Sequence, residues 1–294
     1  MSYQQYGNIQ ASDFNTIVGS NSTTPGTINY IWSTGYSTIG YGQPALTTVN
    51  QRSIVTASNW ATMLSALNNS LGHQGQTQVS GTNYTTGQNI TYFSNITTAV
   101  TTINTNYASY YAQGASYNSY PTWTNNTVIA LAGQSFGPTG IIASQVKFAT
   151  GDAARYFFNC GGQIKFVSLE GTNNDGTTRS GDILNLLVGL GTYTMSKAEY
   201  FASPSGASYA TAVNNISGTS PYTADYVNLK YQTNGGQASN GDNGSIITFV
   251  TNVYAAAHSA FNGSLNVSWS YYFTIIPPET TRLTNSWGTI TFVQ

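Results

Sequence analysis

Apolar positions along the chain change period near residue 120, and that change organises everything that follows. The first stretch with a clear pattern, "IQASDFNTIVG", places Phe14, Ile17 and Val18 on one side of a short helix. Ser12 is its expected N-cap, and Gly19 takes the position after its last turn. Residues 20–56 are rich in turn formers, with "STIGYGQP" as a tight loop. The clearest helix is "TASNWATMLSALNNSLGHQG", capped by Ser58 and ended by Gly72, with Trp60, Met63, Leu64, Leu67 and Leu71 on one face. A third pattern follows in Phe93, Ile96, Val100, Ile103, Tyr107 and Tyr110, spaced three, four, three, four and three. This is an a/d seam without Gly or Pro. Its Thr and Asn flanks are weak helix formers, so such a helix would depend on packing. The pattern suits a long helix lying on its own domain, a helix at a contact between subunits, or a strand. In the second case the six residues are the candidate assembly interface.

Gly114 to Thr127 reads as a Tyr-, Ser- and Asn-rich linker, which divides the chain into a helix-containing unit at 1–120 and a mainly β unit at 121–294. Beyond it the period is two. "LNVSWSYYFTII" alternates through Leu265, Val267, Trp269, Tyr271, Phe273 and Ile275, with Trp269 and Phe273 on one face, and "PP" stops it. "SIITFVTNVYAA", "DYVNLKYQ", "QIKFVSL" and "GTITFV" are further strand candidates, and "NGGQASNGDNG" and "EGTNNDGTTRSGD" supply turn chemistry. "SGDILNLLVGLG" predicts one short helix with Ile183, Leu186 and Leu187 inward, closed by Gly191. The fold class expected is α+β, mainly β: a helix-containing N-terminal unit followed by an antiparallel β-sandwich-like domain. No internal repeat at a solenoid period is visible.

Composition then narrows the setting. Only 6% of the 294 residues are charged and the net charge is −1, yet 40% are hydrophobic and 22 are Tyr. An ordinary soluble domain carries about 25% charged residues, whereas a disordered polar tract lacks aromatics. Nothing here has the basic footprint of a nucleic-acid binder. No window has the apolar length of a membrane helix, and the start "MSYQQYGNIQ" has neither the basic nor the apolar region of a secretory signal. Cys160 is the sole cysteine, so no intrachain disulfide forms. A neutral, extracellular-looking surface made in a cytoplasm fits a virus particle assembled in a bacterial host and released by lysis.

Candidate chemistry is sparse. His73 and His258 lie far apart and lack the partner spacing of metal ligands. Cys160 has Arg155 nearby but sits beside Gly161 and Gly162, which suits a small buried residue better than a nucleophile. Glu170 and Glu199 have no spacing that pairs them, and Asp175 and Asp182 lack the ligand pattern of a calcium loop. Phosphate-loop, nucleophile-elbow and dinucleotide motifs are missing, so no enzyme, metal or cofactor is expected. Tyr with Asn and Ser suits protein contacts, and equally suits sugar binding by ring stacking and amide hydrogen bonds.

Several of these segments resemble one family. "IQASDFNTIVG", the "GYGQP" loop and "IVTASNWATMLSALNNSLGHQG" resemble the N-terminal unit of virion structural proteins of tailed cyanophages. "ARYFFNCGGQIKF" resembles their Arg-aromatic-Phe-Phe-Asn-x-Gly-Gly segment before a strand, and "NSWGTITF" is similar to their closing strand. The resemblance implies a particle component without enzymatic activity, at tail or neck, whose partners are other virion proteins and copies of itself. The rival reading is a tail-fibre adhesin that binds host-surface glycan; a polysaccharide hydrolase is a third. Within the resembling segment, Gly161 and Gly162 permit a turn before the strand, and Phe157 and Phe158 anchor it from the preceding turn. Arg155 is expected to meet a backbone carbonyl or Glu170.

Overall fold

A computed structural model of the chain describes residues 10–20, 22–80, 93–109, 123–131, 139–256 and 265–294; for residues 93 and 123–131 it describes the backbone. The N-terminal unit consists of α1 (Ala11–Val18), α2 (Ile28–Trp32), α3 (Ala57–His73) and α4 (Phe93–Thr105). The apolar faces expected for α1 and α3 are buried, Phe14 meeting Trp60 edge-on at 5.6 Å. The caps differ from expectation. Gln10, not Ser12, precedes α1, with Asp13 reaching back to the Gln10 N–H. Thr56, not Ser58, caps α3, because its hydroxyl accepts from the Asn59 N–H while the Asn59 side chain returns to Thr56. Gly72 does not end α3, which continues through His73.

The turn-rich stretch contains α2, which the pattern alone did not reveal. Buried amides hold the loop that follows it. Asn29 donates to the carbonyls of Gly19 and Leu46 and accepts from Leu46 N–H, and Asn15 brackets Val49 in the same way.

The β half has two antiparallel sheets. One runs in the order β1 (Trp123–Leu131), β8 (Leu265–Ile276), β3 (Gln163–Asn173), β4 (Thr192–Met195). The other runs β5 (Ala210–Ser217), β6 (Tyr226–Thr233), β7 (Ile246–Tyr254), β2 (Thr139–Lys147), β9 (Thr291–Val293). Their inner faces meet: Phe273 lies 4.8 Å from Phe249, Tyr193 5.7 Å from Tyr231, and Ser144 Oγ 2.5 Å from the Tyr271 hydroxyl. The fold is α+β with a sheet-rich, sandwich-like half, as expected. β8 is a strand, and all six of its alternating residues, Leu265 through Ile275, are buried.

Other features correct the sequence reading. Trp123 to Thr127, expected in the linker, begin β1 and pair with Phe273 to Trp269 of β8. Residue 120, where the domain boundary was placed, lies outside the described residues. Phe157 and Phe158 sit on a helix, α5 (Gly151–Asn159), rather than on a turn. The helix α6 (Thr178–Gly189) starts at Thr178 behind a Thr177 cap, earlier than expected, whereas Gly191, directly after the Leu190 C-cap at φ +60, closes it as expected. A further short helix is α7 (Lys197–Phe201).

Trp269 ties β8 to β3 within the four-stranded sheet: its ring stacks on Tyr271 at 4.6 Å and its indole N–H donates to Ser168 Oγ at 2.9 Å. Truncating it removes ring packing and one of the two hydrogen bonds of the Ser168 hydroxyl, which also donates to the Leu187 carbonyl. Trp269→Ala is expected to destabilise the chain by about 3–5 kcal/mol, read as the shift in urea unfolding midpoint at unchanged slope.

Candidate functional site

Polar side chains converge where the helical unit, α5, α7 and the segment after β8 meet. Pro277 and Pro278 end β8, and the chain then crosses to the helical unit. There Glu279 accepts from His73 Nδ1 at 3.0 Å and from Arg282 at 3.0 Å. Gln43 is bound from both sides: its Oε1 accepts from Thr284 N–H and Oγ1, and its Nε2 donates to the Thr284 carbonyl. Ser286 donates to the Tyr41 carbonyl, and Trp287 packs edge-on against Phe157. From α5, Asn159 donates to the carbonyls of Ser37 and Gly40. Arg155 donates to the Ile39 carbonyl, Asp152 and Asn240, so a backbone carbonyl is its partner as expected, and Asp152 and Asn240 take the place proposed for Glu170.

The glycines of this segment have separate reasons. Gly161 has φ +89, whereas Gly162 is required by proximity: a Cβ there would lie 2.5 Å from the Phe157 ring.

Electrostatics in this junction favour locking over reaction. Burial pushes the Cys160 thiol and the Tyr41 hydroxyl well above their ordinary values, so Cys160 stays a protonated thiol at neutral pH. Burial lowers Lys197 to about 8, only partly opposed by Cys160. Its Nζ has no hydrogen-bond partner among the described residues and lies 5.3 Å from the Tyr107 ring centre. Burial alone would raise Glu279; the hydrogen bond and charge of His73, with Arg282, outweigh it and hold the carboxyl below its ordinary value.

The sequence-predicted interface residues do not form one exposed stripe. Ile96, Val100 and Ile103 are buried at 0%, 6% and 0% exposure, within the core that α4 shares with α2 and α3. For these three the seam is internal to the chain, which corrects their assignment to a contact between copies. Phe93 starts α4, Tyr107 is half-buried just past its end, and Tyr110 lies outside the described residues. His258 also lies outside them.

Two features were missed by sequence reasoning. Arg179 forms a buried two-point pair with Asp225, at 3.0 and 3.2 Å, and Asp225 also accepts from Ala256 N–H. This ties α6 to the ends of β6 and β7. The residues stand 46 apart, so no local spacing signals the pair. The second feature is a groove of about 360 Å³ between α3 and α4, lined by Leu71, Gln76, Gln78, Asn95, Thr98 and Thr102 among others. Its described lining has no titratable group and no aromatic ring.

Carboxylates are placed with unusual uniformity. Of nine in the chain, eight are engaged within it. Asp13, Glu199 and Asp242 accept backbone N–H groups at turns and helix starts. Asp175 and Asp182 hold loops through Thr177, Ser180 and Thr219. Asp152, Asp225 and Glu279 pair with arginines. Glu170 is exposed. No group of three or more His, Cys, Asp or Glu among the described residues could hold a metal ion, and no described helix is long and apolar enough to cross a membrane. No protein-family model, curated protein or solved structure matches the chain.

Two outcomes follow from the junction. Glu279 has a depressed folded pKa, so its stabilisation is present above the ordinary value of 4.5 and is lost as pH falls through the lower folded value. Glu279→Gln is expected to cost about 1–3 kcal/mol at neutral pH, with the difference from wild type closing in strongly acidic buffer; melting across a pH series reads this. Lys197 has the opposite consequence. Because its folded pKa is about 8 against an ordinary 10.5, the unfolded chain binds the proton more tightly across that window. Stability therefore rises with pH between those values, and at neutral pH the buried ammonium is a net cost. Lys197→Met is expected to stabilise the chain by roughly 1–2 kcal/mol at neutral pH and to remove the alkaline rise in melting temperature.

Proposed function

We propose that this protein is a non-catalytic structural component of a tailed-bacteriophage particle, of the kind made by cyanophages, at tail or neck and present in repeated copies. The observation that carries the reading is that most of the few charges are bonded within the chain. Eight carboxylates serve in caps, loop ties and ion pairs, and Arg155, Arg179 and Lys197 are also drawn into the fold, so charges such as Arg52 and Glu170 are sparse on a surface of Thr, Asn, Gln, Ser and Tyr. Identical copies placed side by side then face one another without like-charge repulsion.

The tailed-phage setting rests on the resembling segments, and three of them meet in one place. "RYFFN" forms most of α5, "GYGQP" is the loop it holds, and "NSW" is the segment that closes over both. The junction is thus built from the residues that carry the resemblance.

A glycan-contacting role is the second reading, favoured by the outer face of the five-stranded sheet. Asn252 donates to Asn228 and Asn228 to Asn215, each at 2.8 Å, and beside this amide row Tyr226 stacks on Tyr254 at 4.9 Å. Rings beside a row of amides offer stacking and hydrogen bonds to a sugar.

Mass spectrometry of purified particles is expected to find this chain as a stoichiometric component; its absence would overturn the structural reading. Self-association of the purified chain is expected to change little between low and physiological salt, because screening acts on exposed charge. A glycan array with saturable, competable binding would move the second reading ahead of the first.

A further inference from the structure

A strand edge presents unpaired N–H and C=O groups, and folded chains blunt such edges with charge, proline, bulges or brevity. Several edges here follow that rule. β5 is broken by two register shifts against β6, β4 has four residues and β9 three. β2 is different. β7 pairs with it over Thr139–Lys147, but β9 covers its other side only over Gln145–Lys147. Among the described residues, no backbone hydrogen bond reaches 139–143 from the side away from β7.

The open stretch reads Thr-Gly-Ile-Ile-Ala, without charge or proline. Ile141 at its centre is 70% exposed, and Thr139 and Ala143 are exposed on the same face.

We infer that a second copy of this chain adds its own β2 to this edge, antiparallel, about a twofold axis through Ile141. The pleat sets the register. Residues directly opposite in an antiparallel pair share a face, so a strand pairing with itself must be centred on a residue and not between two. Centring on Ile142 would set Thr139 against Gln145, where β9 already sits. Centring on Gly140 would set Ile141 against Thr139 and leave its apolar surface unmatched. Centring on Ile141 uses 139–143 alone: Thr139 faces Ala143 of the partner subunit, Gly140 faces Ile142 of the partner subunit, and the two Ile141 side chains meet on the axis.

The occupant is a second copy because the window is self-complementary. A charge at position 141 would face its like across the twofold, and the window 139–143 carries none at any position. The inference rests on the reading of the chain as a repeated subunit and names one of its contacts. It joins the two five-stranded sheets into one continuous sheet, with β9 of each copy marking the end of the shared ladder.

Sedimentation velocity of the full chain over rising concentration reads the association. Wild type is expected to form a dimer. Ile141→Lys sets like charges across the axis and is expected to weaken the dimer at least about tenfold, with melting unchanged at dilutions where wild type is monomeric, because the residue is exposed in the single chain. Ile141→Cys under mild oxidation is expected to give a covalent dimer. Cys160, at 1% exposure, does not compete. Ala143→Cys alone should not crosslink, but mixed with Thr139→Cys it should. Three results would overturn the inference: a monomer at every concentration, a dimer that Ile141→Lys leaves intact, or a dimer lost on Asn126→Lys in β1, the nine-residue outer strand of the other sheet. A chain present in particles whose Ile141→Cys variant never crosslinks sinks the edge contact alone. An Ile141-centred dimer of a chain absent from particles sinks the virion reading alone.

Discussion

The contact of Phe273 with Phe249 holds the two sheets together, and most of the architecture depends on the strand that supplies Phe273. β8 pairs with β1 on one side and β3 on the other, so it is central to the four-stranded sheet. Its inward row of Trp269, Tyr271 and Phe273 makes ring contacts with Phe166, Phe249 and Phe292. These rings contribute large buried area and favourable edge or offset geometry. The same strand ends at Pro277–Pro278, which cannot continue the ladder, and so delivers Glu279 to His73. Inter-sheet packing and the lock on the helical unit are consecutive properties of one stretch of chain.

That lock explains how so polar a chain maintains a definite structure. Buried polar groups destabilise unless they are satisfied, and satisfied networks rigidify what they join. Asn29, Gln43, Asn159 and Arg155 each bond backbone carbonyls of loops, replacing the pairing those loops lack. Charged groups are used the same way. Arg155 binds two loops at once, and Arg179 with Asp225 fixes α6 to the sheet. Much of the small charge of the chain is therefore placed where it bonds backbone or an opposite charge, while Arg52 and Glu170 are exposed.

Much of the fold was legible because hydrophobic period reports which face is buried. β8 and α3 alternate and repeat without interruption, and both appear where their period places them. Short elements were not legible. α2 has five residues and α7 five, too few to establish a period, and β4 has four. β1 opens in a Tyr- and Asn-rich context whose composition suggests a linker, and its identity comes from pairing with β8, a long-range fact. For the seam in α4, the helix was legible but its partner was not. Ile96, Val100 and Ile103 show that something covers that face, and spacing cannot say whether the cover is the same chain or another. The junction was legible only in part: Arg155 was marked by the scarcity of cations, whereas Glu279 lies 206 residues from His73.

The outward face of α4 shows what the composition accomplishes locally. Thr97, Thr101, Thr102 and Thr105 donate their hydroxyl hydrogens to carbonyls three or four residues earlier in the same helix. Such back-bonding slightly weakens a helix, so α4 depends on the packing of Ile96, Val100 and Ile103 beneath it. It also changes what the face presents. A hydroxyl already bonded to its own backbone asks less of water than a free hydroxyl or a charge. A surface of such groups is cheap to desolvate, yet its remaining acceptors keep it polar enough to stay hydrated alone. The same logic applies to exposed Asn215 and half-buried Asn252, each of which bonds the buried Asn228 between them across three strands. Internal satisfaction of surface polar groups lowers the cost of covering them with protein, a property that the proposed repeated subunit would use alongside its low charge.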